Sequence, residues 1–232
     1  MLPVAILAGG LATRLRPITE KIPKSLVPVA GKPFICHQLN YLREQGLEKV
    51  VLCIGYLGEM IQEVVGNGEN FGLSVNYSLD GSVLLGTGGA LKQALPLLGD
   101  EFFVLYGDSF LPIDFSAVEN FFLSCNKPAL MTILRNANQW DKSNVIFRNG
   151  TLEEYNKSIY RTDMEFIDYG LGILSRSVLD KYPIAQPFDL ADVYHSLSTE
   201  GNLLGYQVHK RFYEIGSTVG LQETETYFLR KL

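Results

Sequence analysis

The sequence predicts an α/β fold built on a mixed, mostly parallel central sheet, and three observations predict it. The first half alternates short apolar runs with segments of helical apolar spacing, which implies parallel strands joined by right-handed crossovers. The earliest apolar run, Val4–Leu7, leads almost directly into Gly9-Gly10, so glycines stand where a strand's carboxyl end meets a turn, the place where α/β folds bind ligands. The second half changes to strand-like pieces separated by turn residues, which brings antiparallel pairing into the sheet.

In chain order, Val4–Leu7 is a buried strand. Residues 33–45 place Phe34, Ile35, Leu39 and Leu42 at helical spacing and close at Gly46, a C-cap. Lys49–Ile54 is a second strand, 59–65 a second helix, 73–77 a third strand of alternating character and 87–97 a third helix. Residues 102–106 form a fully apolar strand that ends at Gly107-Asp108. A helix over 114–124 is followed by strand-like pieces at 129–134, 144–147, 152–155 and 166–174. Two short helices, 177–182 and 190–200, lead to a strand at Leu203–Val208, a short segment at 212–215 and a final helix from Thr218. No repeat, low-complexity tract or linker divides the 232 residues, so one domain is expected.

Charge is distributed unevenly. Between Gly9 and Lys32 stand Arg14, Arg16, Lys21, Lys24 and Lys32 against one acid, Glu20, inside a chain of formal net charge -5. An acidic protein with one cationic, glycine-bearing segment concentrates a small polyanion at one place, and offers little long-range attraction to nucleic acid or an anionic membrane. Gly9 and Gly10 let backbone N–H groups approach phosphate oxygens, while Thr13, Arg14 and Lys24 add a hydroxyl donor and two cations. The segment reads as a phosphate-handling loop, with a basic surface loop as the alternative. A Walker loop is excluded, because the single Gly-Lys, Gly31-Lys32, is followed by Pro33. The dinucleotide fingerprint fails too, since the glycine spacing is broken and the second strand ends without an acid.

No apolar run approaches the roughly 20 residues that span a bilayer, and the amino terminus lacks the pattern of a secretory signal. A cytoplasmic location is expected. Cys36, Cys53 and Cys125 lie on apolar segments without C-x-x-C or Cys/His spacing, so buried free thiols are expected.

Ala8 to Thr19, then Ile22-Pro23-Lys24, resembles the signature of sugar-1-phosphate nucleotidyltransferases, G-x-G-T-R-L-x-P-x-T with a P-K beyond it, Ala12 replacing the second glycine. Gly86-Thr87-Gly88-Gly89, Gly107-Asp108 and Ile215-Gly216-Ser217 are similar to the family's later blocks, in order, so the resemblance covers nearly the whole chain. Short members that activate heptose 1-phosphate with GTP or N-acetylmuramate 1-phosphate with UTP are similar in length. The resemblance implies a three-layer α/β/α Rossmann-like fold, with residues 1–110 binding nucleotide and 111–232 binding sugar. It implies transfer of a nucleotidyl group from an NTP, GTP before UTP, to a sugar 1-phosphate, and leaves a homodimer open.

That reaction needs no covalent intermediate; it needs two anions held together and charge on the α-phosphate neutralised by Mg²⁺, cations and amides. The resemblance gives Ala8, Gly9, Gly10, Thr13 and Arg14 to the nucleotide, Arg14 by bidentate contact, and sets Lys24 as a point charge near the α-phosphate. Asp108, at a strand's carboxyl end, is the expected Mg²⁺ ligand. Glu214, where the family has aspartate, is the second, with a structural salt bridge as the alternative. Gly86, Thr87 and Gly88 are assigned to base and ribose, against a flexible turn before a helix. Lys157 matches the family's sugar-phosphate lysine, although Asn156 replaces an acid beside it. Asn144 and Asp168-Tyr169-Gly170 stand where relatives contact the sugar, core or turn roles being the alternatives.

Two rival functions stay open. The departures at Glu214 and Asn156 fit a non-catalytic nucleotide-sugar sensor. Gly107-Asp108-Ser109 with Asp192-Val193-Tyr194-His195 mimics a serine-hydrolase pair, with Ser109 as nucleophile and His195 as base, but leaves Arg14, Lys24 and the glycine blocks unexplained.

Overall fold

A computed structural model of the chain describes residues 1–81, 83–136, 139–159 and 161–231. In chain order the strands and helices are β1 (Val4–Leu7), β2 (Pro28–Val29), β3 (Lys32–Pro33), α1 (Phe34–Glu44), β4 (Lys49–Ile54), α2 (Gly58–Val65), β5 (Ser74–Leu79), α3 (Gly86–Ala94) and β6 (Glu101–Tyr106). There follow β7 (Ser109–Phe110), α4 (Phe115–Ser124), β8 (Ala129–Arg135), β9 (Val145–Arg148), β10 (Thr151–Tyr155) and β11 (Phe166–Ser175). The chain continues through α5 (Ser177–Asp180), α6 (Leu190–Thr199), β12 (Leu203–Val208), β13 (Tyr213–Glu214) and α7 (Thr218–Leu229).

The central sheet runs β5-β4-β1-β6-β11-β8-β12, and along that path only β11 runs against its neighbours. The mixed, mostly parallel sheet expected from the strand-helix alternation is therefore present. Side-chain alternation splits its two faces. Val4, Ile6, Val50, Leu52, Phe103 and Leu105 face one core, covered by α1, α2 and α4. Ala5, Val51, Cys53, Phe102 and Val104 face the other, covered by α3, α5 and α6, which gives three α/β/α layers. The α1 stripe predicted from spacing, Phe34, Ile35, Leu39 and Leu42, is fully buried. Each such side chain contributes about 1.5–3 kcal/mol relative to exposure, so Leu39→Ala would cost about 2–5 kcal/mol.

Three helices begin at side-chain caps: Asp114 accepts from the Ala117 N–H, Asp189 from the Ala191 N–H and Ser217 from the Gly220 N–H, each worth about 1 kcal/mol. After β5 at one edge the chain passes through α3 and returns to β6 on the far side of β1. The carboxyl ends of β1 and β6 therefore flank a topological switch point, where open sheets leave a crevice. A third, smaller core of Val27, Val29, Phe34, Phe110, Ile215 and Phe228 ties the β2–β3 ribbon and the β7–β13 pair beneath α7. That pairing, Tyr213 with Phe110 and Glu214 with Ser109, was not visible in the sequence.

Candidate active site

The crevice is closed by backbone. The Gly107 N–H donates to the Leu7 carbonyl at 2.9 Å, and a Cβ at Gly107 would lie 2.8 Å from that oxygen, so glycine lets the two strand ends meet. Gly9 is tight as well, its absent Cβ 3.0 Å from the Gly55 nitrogen, whereas Gly10 has nothing within 4 Å and opens onto a cavity. That cavity, about 270 Å³, is lined by Ala8, Gly9, Gly10, Lys24, Gly86 and Asp108, among others.

Beyond Gly10 the loop folds into 3₁₀ turns. Ala12 stands at φ +50°, a left-handed conformation held by the buried Thr19, whose hydroxyl donates to the Ala12 carbonyl at 2.8 Å. The replacement of glycine there is thus more than a small-for-small exchange, since a Cβ in this region costs about 1–2 kcal/mol. Thr13 and Arg14 are exposed on the turn Thr13–Leu15; Thr13 does not line the cavity. Lys24 opens the third of these turns after Pro23, and its Nζ lies 2.7 Å from Asp108 Oδ2, both side chains about one-quarter exposed. Of the five cations in the segment, Lys24 alone lines the cavity; Arg16 pairs loosely with Glu20 at 4.0 Å on the surface.

The late glycine block joins this pair. A Cβ on Gly216 would sit 2.6 Å from Glu214 Oε2, 3.1 Å from Arg14 Nη2 and 3.4 Å from Asp108 Oδ2, so one missing side chain leaves the space where a guanidinium and two carboxylates converge. The Ile215 N–H donates to the Asp108 carbonyl at 2.9 Å and locks the two segments together. Asp108 accepts from Lys24 and from the Ser109 hydroxyl (3.1 Å), and Glu214 from the Gly216 N–H and the Ser217 hydroxyl (2.7 Å). Each carboxylate oxygen keeps a lone pair beyond these bonds. Two facing carboxylates around a gap fit the needs of Mg²⁺, which takes one or two carboxylates and fills its shell with water and phosphate. The salt-bridge alternative for Glu214 finds no cation within ion-pairing distance among the described residues.

The remaining assignments divide. Gly86 and Thr87 line the cavity, but Gly88 does not: its absent Cβ would overlap the Phe188 ring, and its N–H donates to the Phe188 carbonyl at 3.0 Å. Glycine at 88 serves helix packing. The Thr87 hydroxyl donates to the α6 cap Asp189 at 2.7 Å and accepts from the Leu190 N–H, so it too is engaged within the fold. Asp168 and Asn144 meet, the Asp168 N–H donating to Asn144 Oδ1 at 2.9 Å, and Gly170 packs against Tyr106, which lines the cavity. Burial pushes the Asp168 carboxyl up to about 6 against the opposing pull of the Gly170 N–H and the charge of Lys157. Tyr169 corrects the expectation: on β11 it faces the opposite side from Asp168, buried in the core with its hydroxyl toward the Arg211 carbonyl at 3.4 Å. Asn156 is spent on a turn, its carbonyl oxygen accepting the Ser158 and Ile159 N–H groups.

The hydrolase pair does not assemble. Ser109 donates to Asp108, while His195 Nδ1 bonds the Tyr155 carbonyl at 2.8 Å. Asp80 and the buried Ser25 line the cavity and escaped the sequence reading. Asp80 carried a signal, because it follows β5 directly, the rule that singled out Asp108. The cysteines are free thiols as expected, Cys53 buried and Cys36 and Cys125 half-buried. No helix among the described residues is long and apolar enough to cross a membrane.

A glycine-walled cavity at a switch point, opening on a lysine-aspartate pair, suits a ligand that carries phosphate groups. The family model described as nucleotidyl transferase matches residues 4–143. A D-glycero-alpha-D-manno-heptose 1-phosphate guanylyltransferase of Campylobacter jejuni is 30% identical over 81% of this chain and 82% of that protein. An N-acetylmuramate alpha-1-phosphate uridylyltransferase of Neisseria meningitidis is 42% identical over 48% of this chain and 49% of that protein. The crystal structure of HddC from Yersinia pseudotuberculosis complexed with GMP-PN superposes with a TM-score of 0.81 and 25% identity, covering 98% of this chain and 100% of that one. The chain belongs to the nucleotidyl transferase family and is a nucleotidyltransferase.

Proposed function

We propose that the protein joins an NTP to a sugar 1-phosphate, forming a nucleoside-diphosphate sugar and pyrophosphate, with GTP favoured over UTP. The observation that carries this reading is the Lys24–Asp108 pair at 2.7 Å on the wall of the cavity opened by Gly10. A phosphate oxygen of the sugar 1-phosphate attacks the α-phosphorus in line with the departing pyrophosphate, and the α-phosphate gains charge as it does so. Lys24 offers its ammonium to that charge, Arg14 its planar guanidinium to the triphosphate, and the free face of Gly10 its amide. Asp108 and Glu214 are the residues that would hold Mg²⁺, which supplies charge neutralisation at the reacting phosphates when bound. Lys157, Asn144 and Asp168, from the second half, are the proposed sugar-phosphate contacts. GTP is placed ahead of UTP because the guanylyltransferase relative aligns over most of both chains, the uridylyltransferase over about half.

The test is pyrophosphate release from a panel of sugar 1-phosphates with each NTP and Mg²⁺. Release with at least one pair is expected. Silence across the panel, with tight binding of a nucleotide sugar, would turn the reading to a sensor.

A further inference from the structure

A glutamine outside the cavity grips the turn that carries Asp108. Gln38 lies on the buried stripe of α1 with Ile35, Leu39 and Leu42, and is 2% exposed. Its Nε2 donates to the Tyr106 carbonyl at 2.9 Å and to the Ser109 carbonyl at 2.7 Å, so one NH₂ group ties together the two residues that flank Gly107-Asp108. Chemistry fixes the orientation of this amide, because turning it over would set Oε1 against two carbonyl oxygens. Oε1 is left buried with no hydrogen-bond partner among the described residues. An unmet acceptor in the interior costs the fold stability, and what the residue returns for that cost is its two donors.

The same helix also holds the other half of the Lys24–Asp108 pair. The Val27 N–H closes the turn that opens at Lys24, donating to the Lys24 carbonyl at 3.0 Å, and the Val27 carbonyl in turn accepts the Phe34 N–H at 3.1 Å. His37, next to Gln38, bonds the Val29 carbonyl through Nε2 at 2.8 Å. Two adjacent side chains of α1 therefore reach both pieces of backbone on which the pair stands. We infer that Gln38 is a positioning residue for nucleotidyl transfer: by clamping Tyr106 and Ser109 from the core it sets the Asp108 carboxylate at its working distance from Lys24 and Glu214. This rests on the nucleotidyl-transfer reading, in which Asp108 faces the reacting phosphates and would hold Mg²⁺. Gln38 does not line the cavity, so it acts through the turn and not by contact with substrate. Residues that orient a metal-holding carboxylate in this way are worth about 10- to 100-fold in metal affinity or activity.

Gln38→Met keeps the length of the side chain and removes both donors together with the unmet acceptor. Tyr41→Phe, one turn along α1, is the control, since it deletes a hydrogen bond from the same helix, Tyr41 hydroxyl to the Ile113 carbonyl at 2.9 Å, without touching the Asp108 turn. Each would be measured for melting, for kcat and KM, and by isothermal titration of the NTP with Mg²⁺ and with a chelator. Gln38→Met should lower kcat about 10- to 100-fold with KM for the sugar 1-phosphate near wild type. It should also cut the gain in NTP affinity that Mg²⁺ brings by about 10-fold, a quantity that a merely structural role would not move. Tyr41→Phe should lower Tm and keep both kcat and that gain. Gln38→Asn, whose amide stops a methylene short of the two carbonyls, should show the same losses and takes the place of Gln38→Met if that variant melts below the assay temperature. Wild-type kcat and an unchanged Mg²⁺ gain in the Gln38 variant would overturn the inference while leaving nucleotidyl transfer standing. Equal losses in Tyr41→Phe would overturn it in favour of a general loosening of α1, and failure of both Gln38 variants to fold would overturn it in favour of a structural role. Silence of the wild type with every NTP would remove the transferase reading itself and this inference with it.

Discussion

Gly10→Ala separates what the fold needs from what the ligand needs. Nothing lies within 4 Å of the position its Cβ would take, and its φ is outside the left-handed range, so the folded protein has no objection to a methyl group. The unfolded chain loses freedom when glycine becomes alanine, which stabilises by about 0.4–1 kcal/mol. For a chain of this size that raises Tm by about 1–4 °C. A phosphate oxygen must come within about 2.7–2.9 Å of the amide it binds, and a methyl beside Gly10 obstructs that approach. A misplacement near 1 Å costs on the order of 100-fold in reactivity, so kcat/KM for the NTP should fall about 10- to 100-fold. Scanning calorimetry and steady-state kinetics on one preparation read both quantities. Gly9→Ala is the contrast: its Cβ meets backbone of Gly55 and Ile54 at 3.0 and 3.3 Å, so Tm should fall. Unchanged kinetics in the Gly10 variant would refute the phosphate cradle, and a lowered Tm would refute the reasoning from free space.

Three further predictions concern the same crevice. Gly216→Ala should lower kcat about 100-fold, with a stability loss of about 1–3 kcal/mol, because its Cβ enters the gap shared by Arg14, Glu214 and Asp108; wild-type kcat would contradict that convergence. Ala12→Gly should raise stability by about 1 kcal/mol, the relief of left-handed strain exceeding the added chain entropy, and an unchanged or lower Tm would count against it. Asp168, whose carboxyl rises from 3.8 to about 6 on folding, binds its proton more tightly in the native state. Its contribution to stability is therefore full below pH 4 and lost as pH climbs through 6. Melting curves against pH should show Asp168→Asn without that decline and more stable at neutral pH, by at most about 3 kcal/mol; parallel profiles would contradict the assignment.

The parts of the fold that rest on local pattern were legible. Val4–Leu7, Lys49–Ile54 and Leu203–Val208 fall where apolar runs put them, and the rule that ligands meet strand carboxyl ends found Gly10 and Asp108. Contacts made over long separations were not. The two-residue β7–β13 pairing brings Glu214 beside Asp108 without any periodicity to announce it. Gly88 gave the same signal as a ligand-contacting glycine, because sequence cannot show that the ring it accommodates is Phe188. Tyr169 is different, since alternation along a strand already put it on the face opposite Asp168. Asp80 was readable by the rule that found Asp108, since it too follows a strand and stands beside a glycine, Gly81.

In the proposed reaction Lys24 and Asp108 face the phosphate at which pyrophosphate departs. Pyrophosphate release by Lys24→Ala and Ser109→Ala, measured beside wild type with the NTP and sugar 1-phosphate the panel selects, tests it most directly. Loss of about 100-fold or more is expected for Lys24→Ala and a minor change for Ser109→Ala; the reverse order would overturn the proposed roles.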